Sequence, residues 1–289
     1  MGMITSHLRA VGAGALLFFA ATQMALATPL FYEPFNYTAG ANLKDQPGWT
    51  EPGGLNDNVL DKIRASSLTV PGLFSSGNSV RTGGKYSFDS LSGDDNNPNS
   101  FIGGNGNTFW FSFVLQREVA GNGGTTNPDY GGLLLGGNPQ PVNNLFIGKP
   151  GALATDKYVL EAADGTLQQA SNVSEVVGTT AFLVVKITFH DAGAEDISLY
   201  VNPTPGASEG SLSANATSQL ELFAFNDFHI STGHNSNWIF DELWIGTTYA
   251  DVSPVPEPTF LATLLLTFPA LFARRRTNRS KVVRATMGQ

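Results

Sequence analysis

The sequence predicts an all-β body, a sandwich or barrel of many short strands, framed by an apolar segment at each end. Three observations carry this. Charged residues make up 14% of the 289, against roughly 25% in an ordinary soluble domain. Glycine (32) and phenylalanine (20) are abundant, whereas helices draw on Ala, Leu, Glu and Lys and strands on aromatic and β-branched residues. Apolar residues between the two ends alternate with a period of two, and no helix-period stretch of convincing length lies outside the termini.

The strands can be read in order. Ser67–Val70 is a first short candidate. Thr108–Arg117 alternates, with Phe109, Phe111, Phe113 and Leu115 on one face. Tyr130–Leu135, Leu145–Ile147 and Tyr158–Ala162 follow. Phe182–Phe189 places Leu183, Val185, Ile187 and Phe189 together, with Lys186, Thr188 and His190 on the other side. Asp196–Val201 groups Ile197, Leu199 and Val201. The turn-rich link His190–Glu195 makes these two a hairpin. Phe228–Ser231 and Trp238–Ile245 close the series. The gaps are rich in Gly, Asn, Pro and Asp, as in 93–99 and 120–128. No internal repeat of 20–50 residues points to a solenoid or propeller.

Charge and cysteine narrow the function classes. Residues 28–254 hold nine basic and 23 acidic side chains, a net of −14. Such a body repels nucleic-acid phosphates, so nucleic-acid binding is excluded as its primary role. There is no cysteine, which rules out disulfides, thiolate metal sites and cysteine nucleophiles. The body must be held by its core, and it is long enough to build one.

The ends read as targeting segments. His7 and Arg9 precede an apolar run from Ala10 to Ala21, and Ala25-Leu26-Ala27 is a small-x-small cleavage site. Roughly 12 apolar residues are too few to span a bilayer. Residues 1–27 are therefore expected to be a signal peptide, removed by signal peptidase to leave Thr28 first. The body is 28–253. Residues 254–276 have three ordered parts: Val255-Pro256-Glu257-Pro258, the apolar stretch Thr259–Ala273, and Arg274-Arg275-Arg276. As a helix the apolar stretch is about 22 Å long, short for a hydrocarbon core of about 30 Å, and Pro269 interrupts it. The arginines stay cytoplasmic by the positive-inside rule, which places the body outside. Residues 277–289 form a basic tail.

This tripartite end resembles the PEP-CTERM sorting signal of Gram-negative bacteria that make exopolysaccharide. The resemblance implies recognition of Val255–Pro258 and cleavage nearby by an exosortase. It also implies an inner-membrane precursor with its body outward, later released or moved to the cell surface or matrix. The longer tail, 277–289, departs from that pattern. The body resembles concanavalin A-like, LamG-type jelly rolls. The resemblance rests on Phe31–Tyr37, Phe109–Leu115, Leu145–Lys149, Leu183–Ile187, Asp196–Pro203 and above all Phe240–Val252. The last of these resembles a closing strand that pairs beside the first.

A search for chemistry finds little. Jelly-roll hydrolases carry Glu-x-Asp-x-x-Glu, whose alternation puts carboxylates on one face; nothing here matches. Asp241 and Glu242 are adjacent, so a regular strand would turn them to opposite sides, and Asp241 is expected to hydrogen-bond a neighbouring loop. Glu195-Asp196 reads as a solvated turn. His190, His229 and His234 lack metal-ligand spacing, although the last two could meet across a turn. No nucleophile elbow or phosphate loop is present. No catalytic residue, metal site or cofactor is assigned. Calcium is the one ion considered, on the hard oxygens of Asp94, Asp95, Asn96 and Asn97. Trp49, Trp110, Trp238 and Trp244 read as core in the main, with Trp49 the best candidate for exposed sugar stacking. The expectation is a non-catalytic, structural or adhesive surface protein, with exopolysaccharide as a partner. A glycan-active hydrolase or lyase and a protein-interaction module are the alternatives.

Overall fold

The chain is described by a computed structural model for residues 28–50, 62–82, 85–88, 102–103, 106–119, 129–136, 144–151, 156–162, 168–221, 225–233 and 237–256. It is all-β and antiparallel. The strands are β1 (Phe31–Glu33), β2 (Trp49–Thr50), β3 (Lys62–Arg64), β4 (Ser79–Thr82), β5 (Lys85–Phe88), β6 (Thr108–Val119), β7 (Tyr130–Gly136), β8 (Leu145–Lys149), β9 (Lys157–Ala162), β10 (Gln168–Ser174), β11 (Thr180–Thr188), β12 (Ala194–Val201), β13 (Ala216–Glu221), β14 (Asp227–Gly233) and β15 (Asn237–Gly246). One turn of helix, α1 (Tyr249–Val252), follows the last strand. The first sheet runs β13-β12-β11-β6-β15-β4-β3, with β1 also on β15; the second runs β10-β9-β8-β7-β14-β5-β2.

The two sheets face each other across one core. The expected faces meet there: Phe111, Phe113 and Leu115 of β6 and Leu183, Val185 and Ile187 of β11 join Leu133, Leu135, Ile147 and Leu160 of the second sheet. Burying each such side chain contributes roughly 1.5–3 kcal/mol. The β11–β12 hairpin forms in the expected phase, Leu183 opposite Val201 and Ile187 opposite Ile197. The closing strand pairs beside the first, Phe31 opposite Ile245. A smaller cluster, including Trp110, Phe182, Trp244 and Tyr249, covers the outer face of the first sheet.

Four expectations need correction. Ser67–Val70 is not a strand; its Leu68 N–H is spent on a carboxylate of β15 instead. Trp49 is no exposed platform: it is buried, its indole N–H donates to Glu33, and its ring packs edge-on against Phe228. Glu195 is buried too, because its carboxylate accepts the His190 N–H and closes the hairpin link; Asp196 is exposed as expected. The strand rule for Asp241 and Glu242 fails at a bulge. Against β6, Asp241 pairs with Val114 and Trp244 with Ser112, so β15 carries one extra residue there. Glu242 takes it up at φ 50. Both acids then lie away from the core while Leu243 and Ile245 return to it.

Candidate functional site

Of the residues expected to form the cleavage and sorting signals, only Thr28, Val255 and Pro256 lie among the described residues. The body closes at α1, where Thr248 and Asp251 form a reciprocal cap that stops the chain as a helix begins. Pro254 is pinned by the Phe74 N–H at 2.7 Å. Val255 and Pro256 follow, both exposed. Thr28 is exposed at the other end, and the Leu30 N–H donates to Ile245. Since β1 runs antiparallel to the end of β15, both ends of the body leave from the same end of that strand pair. Ala25, Ala27, Glu257, Pro258 and Arg274, Arg275 and Arg276 lie outside the described residues, as do the apolar stretch 259–273, Asp94–Asn97 and His234. Among the described residues, no helix is long and apolar enough to cross a membrane.

The outer face of the second sheet is the candidate ligand surface. Register places His229, Leu134, Phe146, Glu161 and Gln168 side by side across β14, β7, β8, β9 and β10. Two residues along each strand, on the same face, lies a lower row of Ser231, Gly132, Gly148, Val159 and Ala170. A side chain at Gly148 would strike the backbone of Gly131 and Gly132. A Cβ on Gly132 would meet the Phe146 ring at 2.7 Å. Glycine thus lets the Phe146 ring lie over β7, and this lower row is covered: Ser231, Gly132, Gly148 and Val159 are buried, and Ala170 alone is exposed. His229 is half-buried, with Nε2 3.3 Å from the buried carboxylate of Asp227. The pair is a close approach without a hydrogen bond, since Asp227 Oδ1 is buried and has no hydrogen-bond partner. His229 was seen in the sequence; Asp227, two residues earlier on the same strand, shares its face by simple alternation, whereas the cross-strand row is assembled only by register.

A second group of polar residues sits on the outer face of the first sheet, in the gap where β15 passes from β4 to β1. Asp241 and Glu242 are fully buried there. Asp241 accepts from the Leu68 N–H at 2.6 Å, from Ser67 Oγ at 2.5 Å and from the Glu242 N–H at 2.9 Å. Glu242 accepts from the Ser76 N–H at 2.6 Å and from the Tyr32 hydroxyl at 2.7 Å. Burial, opposed by the Ser67 hydrogen bond and reinforced by the charge of Glu242, pushes the Asp241 carboxyl up to about 8. Burial pushes Glu242 up as well. Burial and these acids raise the Tyr32 phenol, which stays protonated and donates. The expected loop contact of Asp241 is present. The oxygens of the pair are taken up by N–H and O–H donors of loop 66–76 and by the Tyr32 hydroxyl, so the site anchors that loop.

A third cluster plugs the far end of the core. Arg117 of β6 reaches Asp129 at 2.7 Å and Glu175 at 2.9 Å. Lys149, at the end of β8, donates to the carbonyls of Asp129 and Pro150. Burial, helped by the Arg117 charge, pulls the Lys149 ammonium below its usual value. The Arg117 guanidinium also lies 5.9 Å from the Trp238 ring centre. Among the described residues, no group of three or more His, Cys, Asp or Glu is placed to hold a metal.

No protein-family model matches the chain, and no curated protein matches it. Solved structures do. An endo-β-1,4-glucuronan lyase from the fungus Trichoderma reesei is 13% identical over 78% of this chain and 99% of its own, with a TM-score of 0.39. A cellulose-induced protein, Cip1, is 12% identical over 75% and 97%, with a TM-score of 0.43. A family 7 alginate lyase is 8% identical over 63% and 85%, with a TM-score of 0.36. All three scores lie below 0.5.

Proposed function

We propose that the chain is an exported surface or matrix protein of concanavalin A-like jelly-roll type, delivered by PEP-CTERM sorting and acting as a structural or adhesive module without catalysis. The observation that carries this is the ordered end of the chain. The body closes at α1 and Pro254, and Val255-Pro256 emerges exposed at once, followed in sequence by Glu257-Pro258, the apolar stretch and Arg274–Arg276. A processing enzyme such as an exosortase would meet this motif without unfolding the body. The two sheets and the β1–β15 pairing support the jelly-roll reading. Exopolysaccharide is the proposed ligand, lying across the strands along the half-buried row of His229, Leu134, Glu161 and Gln168. All four tryptophans are buried, so recognition would rest on hydrogen bonds more than on tryptophan stacking.

The test of sorting is the double variant Pro256→Ala, Glu257→Ala in a host that has an exosortase. The variant should accumulate as a membrane-bound precursor while the parent chain is processed; equal processing of both overturns the reading. The test of binding is a glycan array, where a signal no higher than that of denatured protein counts against it. The His229–Asp227 pair favours one second reading, a glycan-active lyase or hydrolase with His229 as base. Incubation with β-glucans and alginates followed by reducing-end and unsaturated-product assays separates the two, with His229→Ala as the control.

A further inference from the structure

Five large apolar side chains are exposed among the described residues, and three of them gather where the body ends: Leu30 (61%), Phe74 (38%) and Val255 (45%). They are joined by contacts. Phe74 holds Pro254, the residue before Val255, through its N–H. Its ring meets Trp244 edge-on, centres 6.4 Å apart. Tyr32 stacks on the same indole at 3.5 Å. Leu30, two residues before Tyr32, is tied to Ile245 beside Trp244. The other two, Val176 and Val177, sit on the turn whose Gly178 N–H donates to Arg117. Arg117 lies seven residues along β6 from Trp110, which pairs with Gly246. At about 3.4 Å per residue that turn is some 24 Å away.

Scattered apolar side chains on a surface need no explanation, but a group at the point of chain exit does. Only four residues, Val255 to Pro258, separate Pro254 from the start of the apolar stretch at Thr259, a distance of five residue steps. Fully extended they span at most about 17 Å. If 259–273 is inserted in a bilayer, the exit face is held within about 17 Å of the point where that stretch enters it.

We propose that Leu30, Phe74 and Val255 form a membrane-apposed face, seated in the headgroup region of a zwitterionic bilayer. Apolar and aromatic side chains are stable at that depth. The body's net charge of −14 disfavours anionic lipid. The same face carries Thr28, so a precursor with its signal segment and its tail both in the membrane is held from one side. The inference rests on the reading that 259–273 anchors the precursor.

The cysteine-free chain allows single labels without background. Leu30→Cys, Phe74→Cys, Val176→Cys and Leu265→Cys would each carry an environment-sensitive fluorophore on the full chain, reconstituted in phosphatidylcholine vesicles with shallow spin-labelled lipid as quencher. The expected result is strong quenching at 265, and quenching with a blue shift at 30 and 74 severalfold above that at 176. Quenching at 265 with 30 and 74 no higher than 176 overturns this inference and leaves the anchor standing. No quenching at 265 overturns both. Shielding of 74 from aqueous iodide that grows with protein concentration, without lipid quenching, overturns it in favour of a second copy of the chain.

Discussion

The two buried charge clusters solve one problem in opposite ways. At the far end of the core, Arg117 and Lys149 face Asp129 and Glu175, and charge is balanced by charge. In the gap between β1 and β4, Asp241 and Glu242 sit side by side without a cation among the described residues, and only N–H and O–H donors meet them. A balanced cluster fails when one member is removed. A donor-ringed acid pair instead fails when its proton is lost, because two like charges cannot both ionise cheaply in a dry site.

The largest expected effect is on the balanced cluster. Arg117→Met should cost about 3–5 kcal/mol, because it leaves Asp129 and Glu175 buried without their cation; urea unfolding would show it as a lower midpoint. Gly131→Ala comes next. Its new methyl would lie 2.3 Å from the Trp238 ring that Arg117 covers, and overpacking of this kind costs about 1–3 kcal/mol. Thermal melts of the two variants, alone and combined, would be less than additive if ring and guanidinium act as one unit.

The third prediction separates the clusters by pH. Folding raises the Asp241 carboxyl from the ordinary 3.8 to about 8. The folded chain then holds a proton that the unfolded chain has released. Stability is complete below the unfolded value and falls as pH rises through about 8. Lys149 has the opposite sign. Its folded value is depressed, so its burial penalty is relieved as pH climbs toward the unfolded lysine value. Midpoints measured from pH 5 to 9 should fall for the parent chain, and Asp241→Asn should flatten most of that slope while Arg117→Met leaves it in place. A slope unchanged by Asp241→Asn would end this account of the pair. The smallest effect is at His190–Asp196, an exposed pair at 3.0 Å. Asp196→Asn should give no measurable shift, since exposed ion pairs contribute little.

What the residues disclose in advance follows the same division. The core faces of β6, β11 and β12 are legible because alternation is a local signal, and Phe109–Leu115 and Leu183–Phe189 carry it strongly. The β1–β15 closure is legible through resemblance. β10, Gln168–Ser174, is polar and carries no such pattern; it exists because β9 offers a partner. The bulge at Glu242 is invisible to a period-two rule, although the apolar phase does shift between Phe240 and Leu243. Trp49 follows Gln46-Pro-Gly48 and reads as loop, yet Glu33, 16 residues earlier, draws its indole inward. Both charge clusters and the His229 row join residues far apart in the chain, so only strand register assembles them. The chain ends are the converse: their meaning is written in composition and order alone.

The central claim is that the end of this chain is a handle for processing, placed just outside a closed body. The most direct measurement is the intact mass of the mature protein recovered from an exosortase-bearing Gram-negative host. The account predicts a chain that begins at Thr28 and has lost Arg274, Arg275 and Arg276. A mature chain that retains those arginines would contradict it.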